Sequence, residues 1–210
     1  MNNTFSITIE GLKDGALIPE KFAFAKQDSD SHISLTDNKN PAISWINAPT
    51  GTKSFAILCH DPDVPSSGDD VNQEAKVVPA DLPRIDFYHW VLVDISTEVS
   101  SIREGYASNG ITPKGKSFGQ KPYGLAGIND YTNWFNGDAE MGGDYGDYDG
   151  PCPPWNDSIM HHYYFTVYAL DVKSLGLSGN FTGRDVIPAI KGHVLAESSL
   201  MGIYTLNPNL

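Results

Sequence analysis

The chain is short of several things, and each shortage excludes something. It holds two cysteines in 210 residues, Cys59 and Cys152, too few for a disulfide-stapled scaffold. No apolar run approaches the roughly 20 residues of a membrane-spanning helix. The start, Met1-Asn2-Asn3-Thr4-Phe5, lacks the basic-then-apolar pattern of an export signal. Cations are scarce, with 14 Lys and Arg against 26 Asp and Glu and a net charge of −12, so long-range electrostatics oppose nucleic acid and anionic membrane as partners. These shortages predict a cytoplasmic protein with no membrane span and no nucleic-acid partner. The thiols then read as unpaired in a reducing compartment, unless the two segments that carry them line one pocket and bring them close. Nothing repeats and no linker interrupts the sequence, so residues 1–210 read as one domain.

What is present points to β-structure. Phe5–Ile9 alternates as a strand does, and Asp14-Gly15 supplies a turn. Ile43–Trp45 is a short strand, and Ser54–Cys59 is nearly all apolar, as a strand buried on both faces would be. Residues 66–84 read as a loop. Phe87–Ile95, dense in β-branched and aromatic residues, is the strongest strand signal, and Tyr163–Leu170 is another. Residues 105–150 are irregular, and 137–149 carry Asp138, Glu140, Asp144, Asp147 and Asp149 with no Lys or Arg. Thr182 followed by Asp185 is a capping-box pattern, which predicts a helix to about Lys191 with Ile187 and Ile190 on its inner face. Gly192 interrupts, His193–Leu200 reads as a second helical piece, and Gly202–Leu206 as a closing strand. The fold class is therefore mainly β and antiparallel, with two short helices near the C-terminus. Few strands are separated by helical crossovers, which argues against a parallel doubly wound sheet.

Three separate pieces of chain carry groups suited to an anion pocket. Asp61 and Asp63 flank Pro62, with Pro65 after Val64, so stiff backbone can aim a carboxylate at a strand's end. The competing reading is an Asp-Pro turn with solvated acids. His89 stands in an apolar strand, where alternation puts it beside Phe87 and Val91. It is either a core histidine bonded to a backbone carbonyl or a group poised by Asp61. Gly150-Pro151-Cys152-Pro153-Pro154 keeps amide N–H groups only at Gly150 and Cys152, which a tight loop can turn into a cavity. The alternative is a rigid loop that merely ends an insertion. His161 and Tyr163 share a face of the following strand, with His162 and Tyr164 on the other.

These motifs, taken in order with Asn40–Trp45, Lys53–Ala56 and Gly192–Ala196, resemble the phosphatidylethanolamine-binding protein family, also called Raf kinase inhibitor-like proteins, in its bacterial branch. The resemblance spans nearly the whole chain. It implies an antiparallel Greek-key β fold with a small pocket for phosphate, acetate or a phosphorylated headgroup. By motif, the lining would be Asp61, His89, His161 and Tyr163, with Gly150 and Cys152 at the proline-rich loop and Asp63 and Pro65 shaping the wall. Family members bind phospholipid headgroups and nucleotides, and some restrain kinases or serine proteases; the resemblance also suggests a homodimer. It implies no cofactor. Val64 stands where alanine is usual and His162 where arginine is, replacing a permanent cation with a pH-dependent one. The acidic stretch 137–149 is longer than usual and would weaken binding of a doubly charged phosphate.

Other readings use the same residues. His60, Asp61, Asp63, His89, His161 and His162 include zinc-preferring ligand types, and Asp144, Asp147 and Asp149 would suit calcium outside any EF-hand pattern. A hydrolase is a weaker fit, since neither a Gly-x-Ser-x-Gly elbow nor a P-loop is present. A surface that regulates a kinase or protease would most naturally use the long 105–149 segment.

Overall fold

The computed structural model describes residues 4–210. Its strands are β1 (Ser6–Ile9), β2 (Ala16–Leu17), β3 (Ala25–Asp28), β4 (His32–Leu35), β5 (Ile43–Ile46), β6 (Ser54–Pro65), β7 (Arg84–Ser96), β8 (Ser101–Ile102), β9 (Gly119–Lys121), β10 (Gly124–Ala126), β11 (His161–Leu170) and β12 (Val194–Tyr204). Two α-helices join them, α1 (Tyr131–Trp134) and α2 (Gly183–Ile190). A seven-stranded sheet runs β2-β12-β11-β6-β7-β10-β9. Within it the order β11-β6-β7-β10 places a late strand beside the first of three earlier ones, which is Greek-key order. All its pairings are antiparallel except the short one between β12 and β2. The fold is thus mainly β, as the alternation predicts.

The alternating side chains of the long strands divide between two cores. Phe55, Ile57 and Cys59 of β6, with Phe165 and Val167 of β11, face a three-stranded sheet β1-β5-β8 that contributes Ile9, Ile43, Trp45 and Ile102. Ala56 and Leu58 of β6, with Val91 and Val93 of β7, face α2 and Phe181 on the other side. Double-sided burial explains why β6 and β7 read as continuous apolar runs rather than as alternating ones.

Two expectations near the C-terminus are corrected. Residues 194–200 are not helical; they form the first part of β12, paired along β11 from Val194↔Leu170 to Tyr204↔His161. The segment's real period is two: Ala196, Ser198, Leu200, Gly202 and Tyr204 are the more buried members, and Ala196 and Leu200 pack on the core. A ladder along an existing strand outweighs the modest helical preference of Leu195, Ala196 and Glu197. In α2 the capping box is present as expected, but its buried residues are Gly183, Val186 and Ile190, while Ile187 is exposed. The helix start lies flat on Tyr88, where a Cβ on Gly183 would meet the ring at 2.2 Å. That contact sets the rotation and turns Ile187 outward.

Candidate functional site

A cavity of about 330 Å³ opens where β6, β7 and β11 end together on the face of the larger core. Asp61, His89, His161 and Tyr163 all line it, along with Pro65 and Cys152. Three distant pieces of sequence therefore converge on one floor. The walls are apolar and aromatic, with Phe87, Tyr131, Phe135 and Val71 among them, and Leu35 and Trp134 stand exposed at the mouth.

His89 owes its position to a β-bulge. Cys59 pairs with Trp90 and His60 with Tyr88, so His89 is an extra residue in the ladder. A bulge breaks alternation and re-aims the side chain. His89 therefore lines the cavity, while Val91, expected beside it, packs in the opposite core. The residue pairs with Asp149 instead of β6: Asp149 N–H donates to His89 O at 3.0 Å, and His89 Nδ1–H donates to Asp149 O at 2.8 Å. This bond fixes the tautomer and leaves Nε2 for the cavity. Burial lowers the His89 pKa below the ordinary imidazole value, against the opposing charge of Asp61 and the bond to Asp149. At neutral pH the cavity-facing nitrogen is thus an acceptor, and it donates only once the ring is protonated.

Asp61 and His161 form a buried ion pair. His161 Nδ1 meets Asp61 Oδ2 at 2.7 Å, and Nε2 meets Asp157 Oδ2 at 3.0 Å. Asp157 in turn receives Arg84 Nη1 at 2.6 Å and Nη2 at 3.1 Å. Burial works against charge on His161, but hydrogen bonds and charges from Asp157 and Asp61 outweigh it and raise the pKa to about 9. Burial likewise opposes ionisation of Asp157, yet its bonds to His161 and Arg84 lower its pKa overall. His161 lines the cavity as expected, but both of its ring nitrogens are committed to carboxylates. His161 instead orients Asp61, whose other oxygen accepts the Asp63 amide at 2.8 Å. The Tyr163 hydroxyl is buried beside Asp61 without a hydrogen bond of full geometry; burial, the Asp61 charge and a weak bond to that carboxylate raise its pKa, so it stays a neutral donor.

Two other expected residues sit elsewhere. The register shifts between Asp61 and Val64, which puts Val64 and Pro65 in the cavity wall and leaves Asp63 out of it. Asp63 accepts the His162 amide at 2.9 Å and its Nδ1 at 2.7 Å. Gly150 lies behind the wall: its amide donates to Asn38 Oδ1 at 2.8 Å, and a Cβ there would come within 2.0 Å of Phe22 O. Close backbone approach, not donation to a ligand, requires the glycine. Cys152 does line the cavity, its thiol pushed up to about 12 by burial, and both cysteines are free.

The buried acids of the acidic stretch are paired behind the floor, and the part of the Asp149 charge that reaches His89 favours its protonation. Asp149 is buried against Lys116 at 3.0 Å and accepts Asn38 and Asn129 side chains at 2.7 and 2.8 Å. Asp147 accepts the Tyr123 hydroxyl at 2.7 Å and faces Lys121 at 3.5 Å, while Asp144 is exposed. Asp147 and Asp149 are bound to different lysines and Asp144 stands apart at the surface, so the three carboxylates do not share one calcium centre. For zinc, His60 lies on the other face between Tyr88 and Tyr164. Among the described residues no group of three or more His, Cys, Asp or Glu is placed to hold a metal ion. Sequence reasoning missed Arg84, Asp157, Lys116 and Asn38. Only Asp157 carried a local signal, as an acid four residues before a motif histidine.

A Greek-key β fold with an apolar-walled cavity over a buried His-Asp floor has the form of a small-ligand pocket. Comparison with known proteins narrows the class. The family model for phosphatidylethanolamine-binding protein matches residues 8–205, and the chain belongs to that family. A UPF0098 protein of Methanothermobacter thermautotrophicus is 32% identical over 168 residues, covering 80% of this chain and 83% of the relative. The UPF0098 protein YbhB of Escherichia coli is 26% identical over 195 residues, covering 92% and 96%. The crystal structure of CT736, a phosphatidylethanolamine-binding protein homolog of Chlamydia trachomatis, superposes with a TM-score of 0.64 at 25% identity, covering 97% of this chain and 98% of that one.

Proposed function

We propose that the protein is a non-enzymatic binder of small oxyanions, phosphate or a phosphorylated headgroup, taken up with a proton on His89. The observation that carries this reading is the floor itself: a buried hydroxyl without a full hydrogen bond at Tyr163, the free Nε2 face of His89, and an Asp61 held rigid by the His161 imidazolium. A buried hydroxyl short of a full bond is unfavourable by up to roughly 1–3 kcal/mol, which an incoming oxyanion relieves. Protonation of His89 supplies the cation and a second donor, and burial makes that proton available chiefly when the anion is present to compensate it. Binding rather than turnover fits the committed state of His161, since a ring with both nitrogens engaged is a poor general base.

The test is titration with inorganic phosphate and with phosphorylethanolamine, followed by two-dimensional NMR. Saturable shifts should cluster around residues 61, 89, 152 and 163. His89→Ala should abolish them, and Tyr163→Phe should weaken binding by about 5- to 10-fold, one hydrogen bond's worth. Absence of shifts at these positions up to roughly 50 mM ligand, a level that saturates a Kd of ~5 mM, rejects the proposal.

A further inference from the structure

We infer that Asn156, outside the floor, sets the ligand preference of the site by holding its outer wall. The wall is the segment 68–78, which gives Gly68, Val71 and Asn72 to the cavity lining. It has almost no core of its own: residues 69–77 are exposed or half-buried, and only Val78 is buried. Asn72, at φ 55°, is a residue type that tolerates the left-handed region, but Ala75, at φ 60°, takes up that conformation only where its surroundings impose it.

Asn156 imposes it. Its side chain, in a residue 6% exposed, donates to the carbonyls of Asp70 at 2.8 Å, Gln73 at 3.3 Å and Lys76 at 3.1 Å. Its own carbonyl oxygen accepts the Asn72 amide at 2.9 Å. One amide group thus reaches four backbone groups of a loop that lacks a ladder, its two N–H donors shared among three carbonyls. The backbone of Asn156 also accepts Val78 N–H at 3.0 Å. The next residue, Asp157, ends in the Arg84 and His161 ion pairs, so the grip on the wall is rigidly joined to the floor.

The wall and the floor have different tasks. Asp61, His89 and Tyr163 are held by β6, β7 and β11 and do not depend on the 68–78 segment. A bare oxyanion on the floor does not fill a cavity of about 330 Å³, which has room for on the order of ten waters. A ligand with an apolar arm reaches the wall and gains from Val71. Asn156 is therefore a positioning residue that favours armed ligands over bare ones. The ligand half of this inference rests on the oxyanion reading; the wall half does not.

The experiment uses full-length wild type, Asn156→Ala and Asn156→Asp, the last keeping the acceptor for Asn72 while turning a carboxylate toward three carbonyls. Hydrogen exchange read by mass spectrometry should show amides of 69–78 exchanging about 10-fold faster or more in both variants, with peptides of β6, β7 and β11 unchanged. Inorganic phosphate and phenyl phosphate are the probes. Wild type should prefer phenyl phosphate by about 10-fold, the gain from partly burying a ring. In Asn156→Ala the two constants should fall within about twofold, with that for inorganic phosphate unmoved. A merely structural role would weaken both probes alike. Unaltered exchange in 69–78, or an unaltered preference in both variants, overturns the assignment of Asn156 and leaves the oxyanion reading intact. Failure of wild type to bind either probe overturns the preference role together with that reading, and the exchange result then judges the wall alone. Should Asn156→Ala fail to fold, Asn156→Asp carries the same test, since it keeps the acceptor for the Asn72 amide and loses the donors to the Asp70, Gln73 and Lys76 carbonyls, and the same loss of preference is expected.

Discussion

Replacing His161 by glutamine tests whether the floor is held by charge. The ring faces a carboxylate at each nitrogen, 2.7 Å to Asp61 and 3.0 Å to Asp157. An acceptor at both ends requires a proton on both nitrogens, so the native state holds the imidazolium. Its pKa is raised from 6.5 to about 9, because the bonds and charges of Asp157 and Asp61 outweigh burial. The unfolded chain releases this proton at the ordinary value while the native protein keeps it. The resulting stabilisation is complete below pH 6.5, declines through the interval to about 9, and is gone above it. At about 1.4 kcal/mol per pH unit of that interval, the contribution is about 3 kcal/mol.

The assay is urea unfolding of wild type and His161→Gln between pH 6 and 9.5, read as the gap between the two chains. Half-buried His60 and buried His89 shift the opposite way, since desolvation lowers the pKa of both. They are common to both chains and cancel in the difference. The gap should shrink by about 3 kcal/mol across that range. A gap that stays constant, or nitrogen chemical shifts showing one bare ring nitrogen at pH 7, would refute the reasoning.

Phosphate affinity should rise as pH falls and level off only once the free protein already protonates His89, below the ordinary imidazole range, because burial lowers the His89 pKa and the anion must bring the proton with it; calorimetric Kd values that are flat from pH 5.5 to 8.5 would exclude a cationic His89 as donor. Lys116→Met should destabilise the fold by about 3–5 kcal/mol in urea unfolding, since Asp149 is left buried without its cation; a loss under about 1 kcal/mol would show that Asn38 and Asn129 suffice. Gly150→Ala should lower the melting temperature or abolish soluble expression, as the new methyl would lie 2.0 Å from Phe22 O; a wild-type melting curve would contradict the packing. Cys152 should resist iodoacetamide at pH 8, with its thiol pushed up to about 12; alkylation at the rate of a free peptide thiol would contradict that burial.

The long strands were legible because β6, β7 and β11 are crowded with β-branched and aromatic side chains and bounded by Asp-Pro or Pro-Pro punctuation. What the sequence concealed was local and geometric. The bulge at His89 leaves no mark in composition, yet it decides that His89 rather than Val91 faces the cavity. The shift after Asp61 likewise removes Asp63 from the lining. The first part of strand β12 escaped because Val194–Glu197 has helical composition, and only its partner β11 imposes the period of two; its end was legible as a closing strand from Gly202. The short hairpin of β3 and β4 escaped because its residues are polar and mostly half-buried. Arg84 and Asn38 escaped for a different reason: each acts across at least 70 residues of sequence, Arg84 on Asp157 and Asn38 on Asp149 and Gly150, while Lys116 and its partner Asp149 lie in one irregular segment. Pairing at that range has no periodic signature.

The charge of the chain is a poor guide to the charge of its site. A net of −12 argues against an anion only if the acids act on the floor at long range. The acids closest in sequence to the motifs are the ones the fold removes from solvent and pairs: Asp61 and Asp157 with His161 and Arg84, Asp149 with Lys116, Asp147 with Lys121 and Tyr123. In a low-dielectric interior a paired charge presents a short-range dipole, whereas the exposed acids are screened within about 8–10 Å by salt. The potential at the floor is then governed by the protonation of one ring, His89, because every other cation near it already has a carboxylate. A chain this acidic can bind an oxyanion provided that it carries the compensating proton in with the ligand, and the tautomer set by Asp149 is what leaves a nitrogen free to receive it.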